Sequence, residues 1–153
     1  MKNIMKTTMT CVMALLFGAS LVLADPQHST SKGPLNDLVA IQKALAGDSM
    51  EHVKHHAMAI SKAVKEHKLH GIATETSQQA TKVAQSKSLK SARNAFKELS
   101  QSFVDYFANH PDKSGKYRVA YCPMAKASWV QQGEAIRNPY FGKSMLNCGS
   151  LKK

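Results

Sequence analysis

Apolar residues recur along the first two thirds of this chain at the spacing of helices. From Pro34, Leu35, Leu38, Ile41 and Leu45 return at three- and four-residue steps, and the run breaks at Gly47-Asp48. Such steps put one stripe on one face of a 3.6-residue helix. Asp48, with Glu51 three residues on, has the form of a capping box for a second helix. Met50, Val53, Ala57, Ile60 and Val64 make its apolar stripe, and Gly71 is the expected stop. Ile72, Thr76, Ala80 and Val83 predict a weaker third helix within residues 72–86. Ser88 is the expected cap of the strongest element, where Leu89, Ala92, Phe96, Leu99, Phe103 and Tyr106 keep the alternation until Pro111 stops it. No strand-like alternation of useful length precedes residue 117.

The pattern changes after the loop HPDKSG. Residues 117–149 carry the only tryptophan, three of the four tyrosines and the turn Asn138-Pro139. Within them ASWVQQGEAI predicts no more than one or two helical turns. The expected fold class is therefore all-α: an up-and-down bundle of about four helices with an irregular Cys/aromatic-rich C-terminal segment. The bundle is expected over 34–110 and the segment over 111–153, packed together as a single domain, 34–153. An irregular aromatic segment keeps its shape by packing on the bundle and by cross-linking itself.

The opening of the chain changes the setting. Lys2 and Lys6 precede an apolar run from Cys11 to Leu23 that ends in VLA. A basic start, a short apolar stretch and small residues at the end describe an export signal over 1–24, cut after Ala24, with a polar flexible leader over 25–33. The run is shorter than the roughly 20 residues a spanning helix needs, so no stable membrane insertion of the mature chain is expected. The expected location is periplasmic or secreted, an oxidising compartment. Cleavage removes Lys2 and Lys6, which lowers the net charge from +11 to +9. Basic chains suggest an anionic partner, nucleic acid first. Here the lysines are scattered, and neither an RNA-binding aromatic signature nor a recognition-helix pattern is present, so no nucleic-acid partner is expected.

The candidate chemistry lies in sulfur. Beyond residue 24 the cysteines are Cys122 and Cys148, and each has a methionine close by, as Cys122-x-Met124 and Met145-x-x-Cys148. Two readings fit that spacing. In one, Cys122 and Cys148 form a disulfide and the methionines fill gaps in the core. In the other, all four sulfurs bind Cu(I) or Ag(I), because thiolate and thioether are the ligands that select soft ions. Zinc fits less well, since thioethers are poor zinc ligands and no histidine lies nearby in sequence. His52, His55 and His56 form a second cluster, with His52 and His56 four apart as an auxiliary metal pair, although a solvent-exposed triplet is the simpler reading. No haem is expected, because a Cys-x-x-Cys-His attachment motif is lacking. No Ser-His-Asp order, phosphate-cradling glycine run or Cys-x-x-Cys pair is present either, so the chain does not read as an enzyme.

Tyr121, the run Cys122-Pro123-Met124-Ala125, Trp129, the run Asn138 to Lys143, and Met145, Leu146, Cys148 and Gly149 together resemble an uncharacterised bacterial exported domain family. Its pattern is Tyr-x-Cys-Pro-Met-Ala, a Trp-Leu step, then Ile-x-Asn-Pro-Tyr-Phe-Gly-Lys-x-Met-Leu-x-Cys-Gly. The domain also occurs at the C-terminus of periplasmic adaptor proteins of copper/silver efflux pumps. SLKSARNAFKELSQSF is similar to the family's last helix. The chain departs from the pattern in a shorter linker between Ala125 and Trp129 and in Val130 where Leu is common. The resemblance implies copper or silver handling, with periplasmic efflux or copper-maturation proteins as partners.

Overall fold

The computed structural model describes residues 33–152. The expected export signal, and the leader apart from Gly33, lie outside the described residues. Four α-helices come first: α1 (Pro34–Ala46), α2 (Val53–Lys65), α3 (Thr76–Ala84) and α4 (Leu89–Asn109). Pro34 opens α1 at a position where its missing N–H has no helical partner to lose. Ser88 caps α4 as expected. Its Oγ accepts from the Ser91 N–H (3.2 Å), and Ser91 Oγ accepts from the Ser88 N–H (3.1 Å), which completes a capping box with serine in both roles.

The start and end of α2 differ from the expected ones. Asp48 does not cap it; the helix starts at Val53, after His52 in a left-handed conformation (φ 56°) with no side-chain cap. It ends at Lys65, short of Gly71, and His67 takes the next left-handed position (φ 53°). Most of each expected stripe is buried even so, but Met50 and Ile72 lie before α2 and α3 and, like Leu35 and Leu89, are only partly buried. Leu38, Ile41, Leu45, Val53, Ala57, Ile60, Ala80, Val83, Phe96, Leu99 and Phe103 are all buried in one core. Each helix packs on its neighbour in sequence, and α4 also meets α1.

The all-α expectation is corrected beyond residue 116. Strands β1 (Tyr117–Cys122), β2 (Ala127–Gln132) and β3 (Ser150–Leu151) form an antiparallel sheet in the order β2-β1-β3. The stretch ASWVQQ, expected as part of a helical turn or two, is the strand β2. A half-buried strand announces itself by apolar–polar alternation, and neither strand has it. β2 is buried along both faces, with Ser128 and Gln131 buried beside Trp129 and Val130. β1 leaves Tyr121 exposed and buries the small Ala120 and Cys122. Both α1 and α4 pack on β2, so the sheet closes over the helices.

Polar side chains fix the segment between β2 and β3. The buried Gln131 accepts from Trp129 Nε1 (2.9 Å) and from the Arg137 N–H (3.2 Å), and donates to the carbonyls of Ala135 (2.9 Å) and Gly133 (3.2 Å). Gln42 of α1 donates to the Arg137 carbonyl. Arg93 of α4 donates to the carbonyls of Pro139 (2.9 Å) and Leu45 (2.8 Å) and pairs with Asp48. Asp48 in turn accepts from the Lys143 N–H (3.1 Å). The Arg93 hydrogen bond and the Lys143 N–H hold the Asp48 carboxyl below the usual carboxylate range. Asp48 therefore joins three parts of the chain that lie far apart in sequence. Gly142 (φ 58°) makes that contact possible, since a Cβ there would collide with both Asp48 Oδ1 and Arg93 Nη2.

No helix among the described residues is long and apolar enough to cross a membrane.

Candidate metal centre

Two turns meet at a sulfur–sulfur contact. The first is the hairpin loop Pro123 to Lys126, which joins Cys122 to its cross-strand partner Ala127. It closes through the Lys126 N–H on the Pro123 carbonyl (3.2 Å), with Lys126 left-handed (φ 50°). Lys97 of α4 donates to the Ala125 carbonyl (3.1 Å) and pins this loop to the helices. The second is the 3₁₀ turn Gly142–Met145, from which the chain runs to Cys148, whose N–H donates to the Met145 carbonyl (3.1 Å). Cys122 Sγ and Cys148 Sγ stand 2.8 Å apart, both as free thiols.

Asn138 makes this meeting specific. It is fully buried, and its Oδ1 accepts from the Tyr140 N–H (2.8 Å) while its Nδ2 donates to the Cys148 carbonyl (2.7 Å). Its backbone N–H donates to the Leu146 carbonyl (2.7 Å). The Tyr140 ring stands edge-on to the buried Trp129, ring centroids 5.9 Å apart, and its hydroxyl donates to the Ser128 carbonyl. Gly149 (φ 131°) lets the chain pass close to the sheet: a Cβ there would lie 2.8 Å from Trp129 Cη2 and from the Tyr121 carbonyl oxygen. Asn138, Tyr140, Gly142 and Gly149 thus place Cys148 against Cys122 and need touch no ligand. From the sequence, Asn138 is expected in a turn with Pro139, Tyr140 in packing and Gly142 at a backbone angle other residues avoid, while Gly149 is a motif position only. The two glycines were the available signal, each marking a backbone angle or a close approach.

The two thiols are electrostatically unequal. Burial pushes the Cys122 thiol up, but hydrogen bonds from Cys148, the Ala125 N–H (3.4 Å), the Asn138 side chain and the Met124 N–H outweigh it and hold the thiol below its ordinary value. Cys148 is pushed up, first by its hydrogen bond to Cys122, then by burial and by the negative charge of Cys122. The direction is that Cys122 ionises before Cys148. Cys122 is fully buried and Cys148 half-buried.

Such a pair can close to a disulfide by giving two electrons and two protons to an oxidant, or can exchange its protons for a soft cation. It is poorly arranged for thiol–disulfide exchange, because the thiolate-bearing sulfur is the inaccessible one. The structure brings Cys122 and Cys148 together. Met124 and Met145 belong to the same two turns, and both are exposed, at 67% and 38%. His52 and His56 lie elsewhere, at the start of α2. Among the described residues no three His, Cys, Asp or Glu side chains converge as a ready-made cation cage.

No protein-family model, curated protein or solved structure matches this chain.

Proposed function

We propose that this chain holds Cu(I) or Ag(I) at the Cys122–Cys148 junction, and buffers the ion or delivers it to an efflux or copper-maturation partner in the exported compartment. The supporting observation is the convergence of two cysteine sulfurs, 2.8 Å apart, from distant parts of the chain, the buried one held below its ordinary pKa by hydrogen bonds. A soft monovalent ion replaces a thiol proton, and its charge offsets the thiolate without a carboxylate cage. Metal–sulfur bonds near 2.3 Å around one ion place two sulfurs roughly 3.7–4.6 Å apart, from tetrahedral to linear geometry. Loading therefore means parting the sulfurs by roughly 1–2 Å, least for a tetrahedral ion and most for a linear one. Met124 and Met145, exposed on the same turns, offer thioethers that need no deprotonation and that a partner can reach.

Competition titration of the reduced protein with Cu(I), against a coloured chelator, tests this reading. One ion per chain is expected. Cys122→Ser should lower affinity by more than the roughly 10–100-fold typical of an outer-shell loss, and Met145→Leu by less. Unchanged affinity in Cys122→Ser ends the proposal.

The 2.8 Å approach of the sulfurs also favours a second reading, in which a Cys122–Cys148 disulfide clamps the sheet and the chain serves as a docking module without metal. Mass spectrometry of protein isolated from the exported compartment separates the two. Quantitative loss of two hydrogens, with no metal taken up after reduction, supports the clamp.

A further inference from the structure

A second site lies at the start of α2, on residues the sulfur junction does not use. His56 Nδ1 stands 2.7 Å from Asp37 Oδ1, and these side chains are 16% and 4% exposed. Asp37 comes from the first turn of α1, so the bond crosses between helices. A carboxylate that deeply buried needs a donor, and Nδ1–H supplies it. The Nδ1 proton is thereby fixed, and Nε2, on the far side of the ring, carries the only exchangeable position. An imidazole whose Nδ1–H is held by a carboxylate is the form that metal-ligating histidines take.

His52 lies four residues before His56, and its ring is 66% exposed. The two ring centroids are 6.5 Å apart. With metal–nitrogen bonds of about 2.0–2.1 Å, two imidazoles on one ion put their centroids roughly 5–6.4 Å apart. His52 lies just outside that span, while the His55 ring, its centroid 5.4 Å from that of His56, lies within it. Glu51 adds a carboxylate, with its Oε1 3.3 Å from His52 Nε2.

We infer that His56 and His52 bind a divalent borderline cation, Cu(II) foremost, with Glu51 as an oxygen donor, Asp37 as the positioning residue and solvent completing the shell. Imidazole nitrogen with carboxylate oxygen suits Cu(II), which also heads the affinity order of the divalent first-row ions. A cation on His56 Nε2 lies across the ring from Asp37, which orients that ring through Nδ1. This site stands apart from the sulfur junction in residues and in the oxidation state of the ion, and does not depend on the proposal made for it.

The test is Cu(II) titration of the full chain with its cysteine pair oxidised, read by electron paramagnetic resonance. One Cu(II) with nitrogen hyperfine structure is expected. His56→Gln should abolish that signal, and His52→Asn, which tolerates the left-handed backbone, should weaken binding at least about tenfold. His55→Gln should weaken binding less than His52→Asn does; the reverse order gives the second nitrogen to His55, whose ring centroid is 5.4 Å from that of His56, and overturns the pairing. Asp37→Asn should weaken binding about tenfold and change its pH dependence, because the Nδ1 proton is no longer held by a charge. A nitrogen-ligated signal that persists in both His56→Gln and His52→Asn overturns the inference, as does absence of binding by the unmodified chain at millimolar Cu(II).

Discussion

Between Pro34 and Asn109 the side chains that hold the chain together are apolar: Leu38, Ile41, Ile60, Phe96, Leu99 and Phe103 are fully buried. Between Tyr117 and Leu151 the organising groups are amides and a phenol, from Gln131, Asn138 and Tyr140, joined by Gln42 of α1 and Arg93 of α4, most of them donating to or accepting from backbone. Apolar burial is non-directional and tolerates small shifts, whereas hydrogen bonds fix position and direction. The helical half thus supplies stability, and the C-terminal half supplies placement. The thiol pair sits where placement is strictest. Damage to the first half should therefore unfold the protein, while damage to the second should part the thiols and leave the helices standing.

The largest effect is expected from Phe96→Ala, which cuts away a fully buried ring that also meets Tyr140. It should cost about 3–5 kcal/mol, seen as a lower urea midpoint for helical and aromatic signals together. Oxidising Cys122 and Cys148 to a disulfide should act in the opposite sense, raising stability by about 3–4 kcal/mol on the chain-entropy model, seen as a higher urea midpoint. A gain near zero would mean that the two turns already constrain each other in the unfolded chain.

Asn138→Ala should cost about 2–3 kcal/mol, because it leaves buried backbone groups of Tyr140 and Cys148 without their partner. Its distinguishing sign is local. Far-UV circular dichroism should keep the helical signal while disulfide formation slows markedly. Equal loss of helix would break the division between the halves. Ser88→Ala is the counterpart in the helical half: about 1 kcal/mol from the lost cap, with no change in the rate at which the thiols join.

The smallest effect concerns protons. An ordinary thiol ionises near pH 8.5. With Cys122 held lower and Cys148 pushed higher, thiolate ultraviolet absorbance should rise in two steps, one below that value and one above it. In stability the two act oppositely. The Cys122 contribution is present above its unfolded value and lost as pH falls through the folded one. The Cys148 contribution is present below its unfolded value and lost as pH rises through the folded one. A single step at the ordinary value would mean that the thiols do not share a proton in solution.

The four helices were legible because their signal is local. Steps of three and four residues, Ser88 before Leu89 and Pro34 at a helix start all act within one or two turns of the backbone. The sheet was not legible, because β2 is buried on both faces and keeps Gln131 inside through partners supplied by its own following loop. Asp48 misled for a similar reason. Its spacing to Glu51 fits a cap, but tertiary structure gives its carboxylate to Arg93 and the Lys143 N–H instead. The cysteines and methionines could be named as candidates from their spacing. Which sulfurs meet depended on Asn138, Gly142 and Gly149, whose contacts join positions far apart in sequence.

By itself the sequence determined the helices, their buried stripes and the presence of two cysteines with methionines beside them. The tertiary structure alone decided that residues 117–151 form a sheet, that Cys122 and Cys148 stand 2.8 Å apart, and that His56 leans on Asp37. Helical preference is written within a few neighbouring residues. A strand pairing, a thiol contact or a buried ion pair depends on groups that only folding brings together.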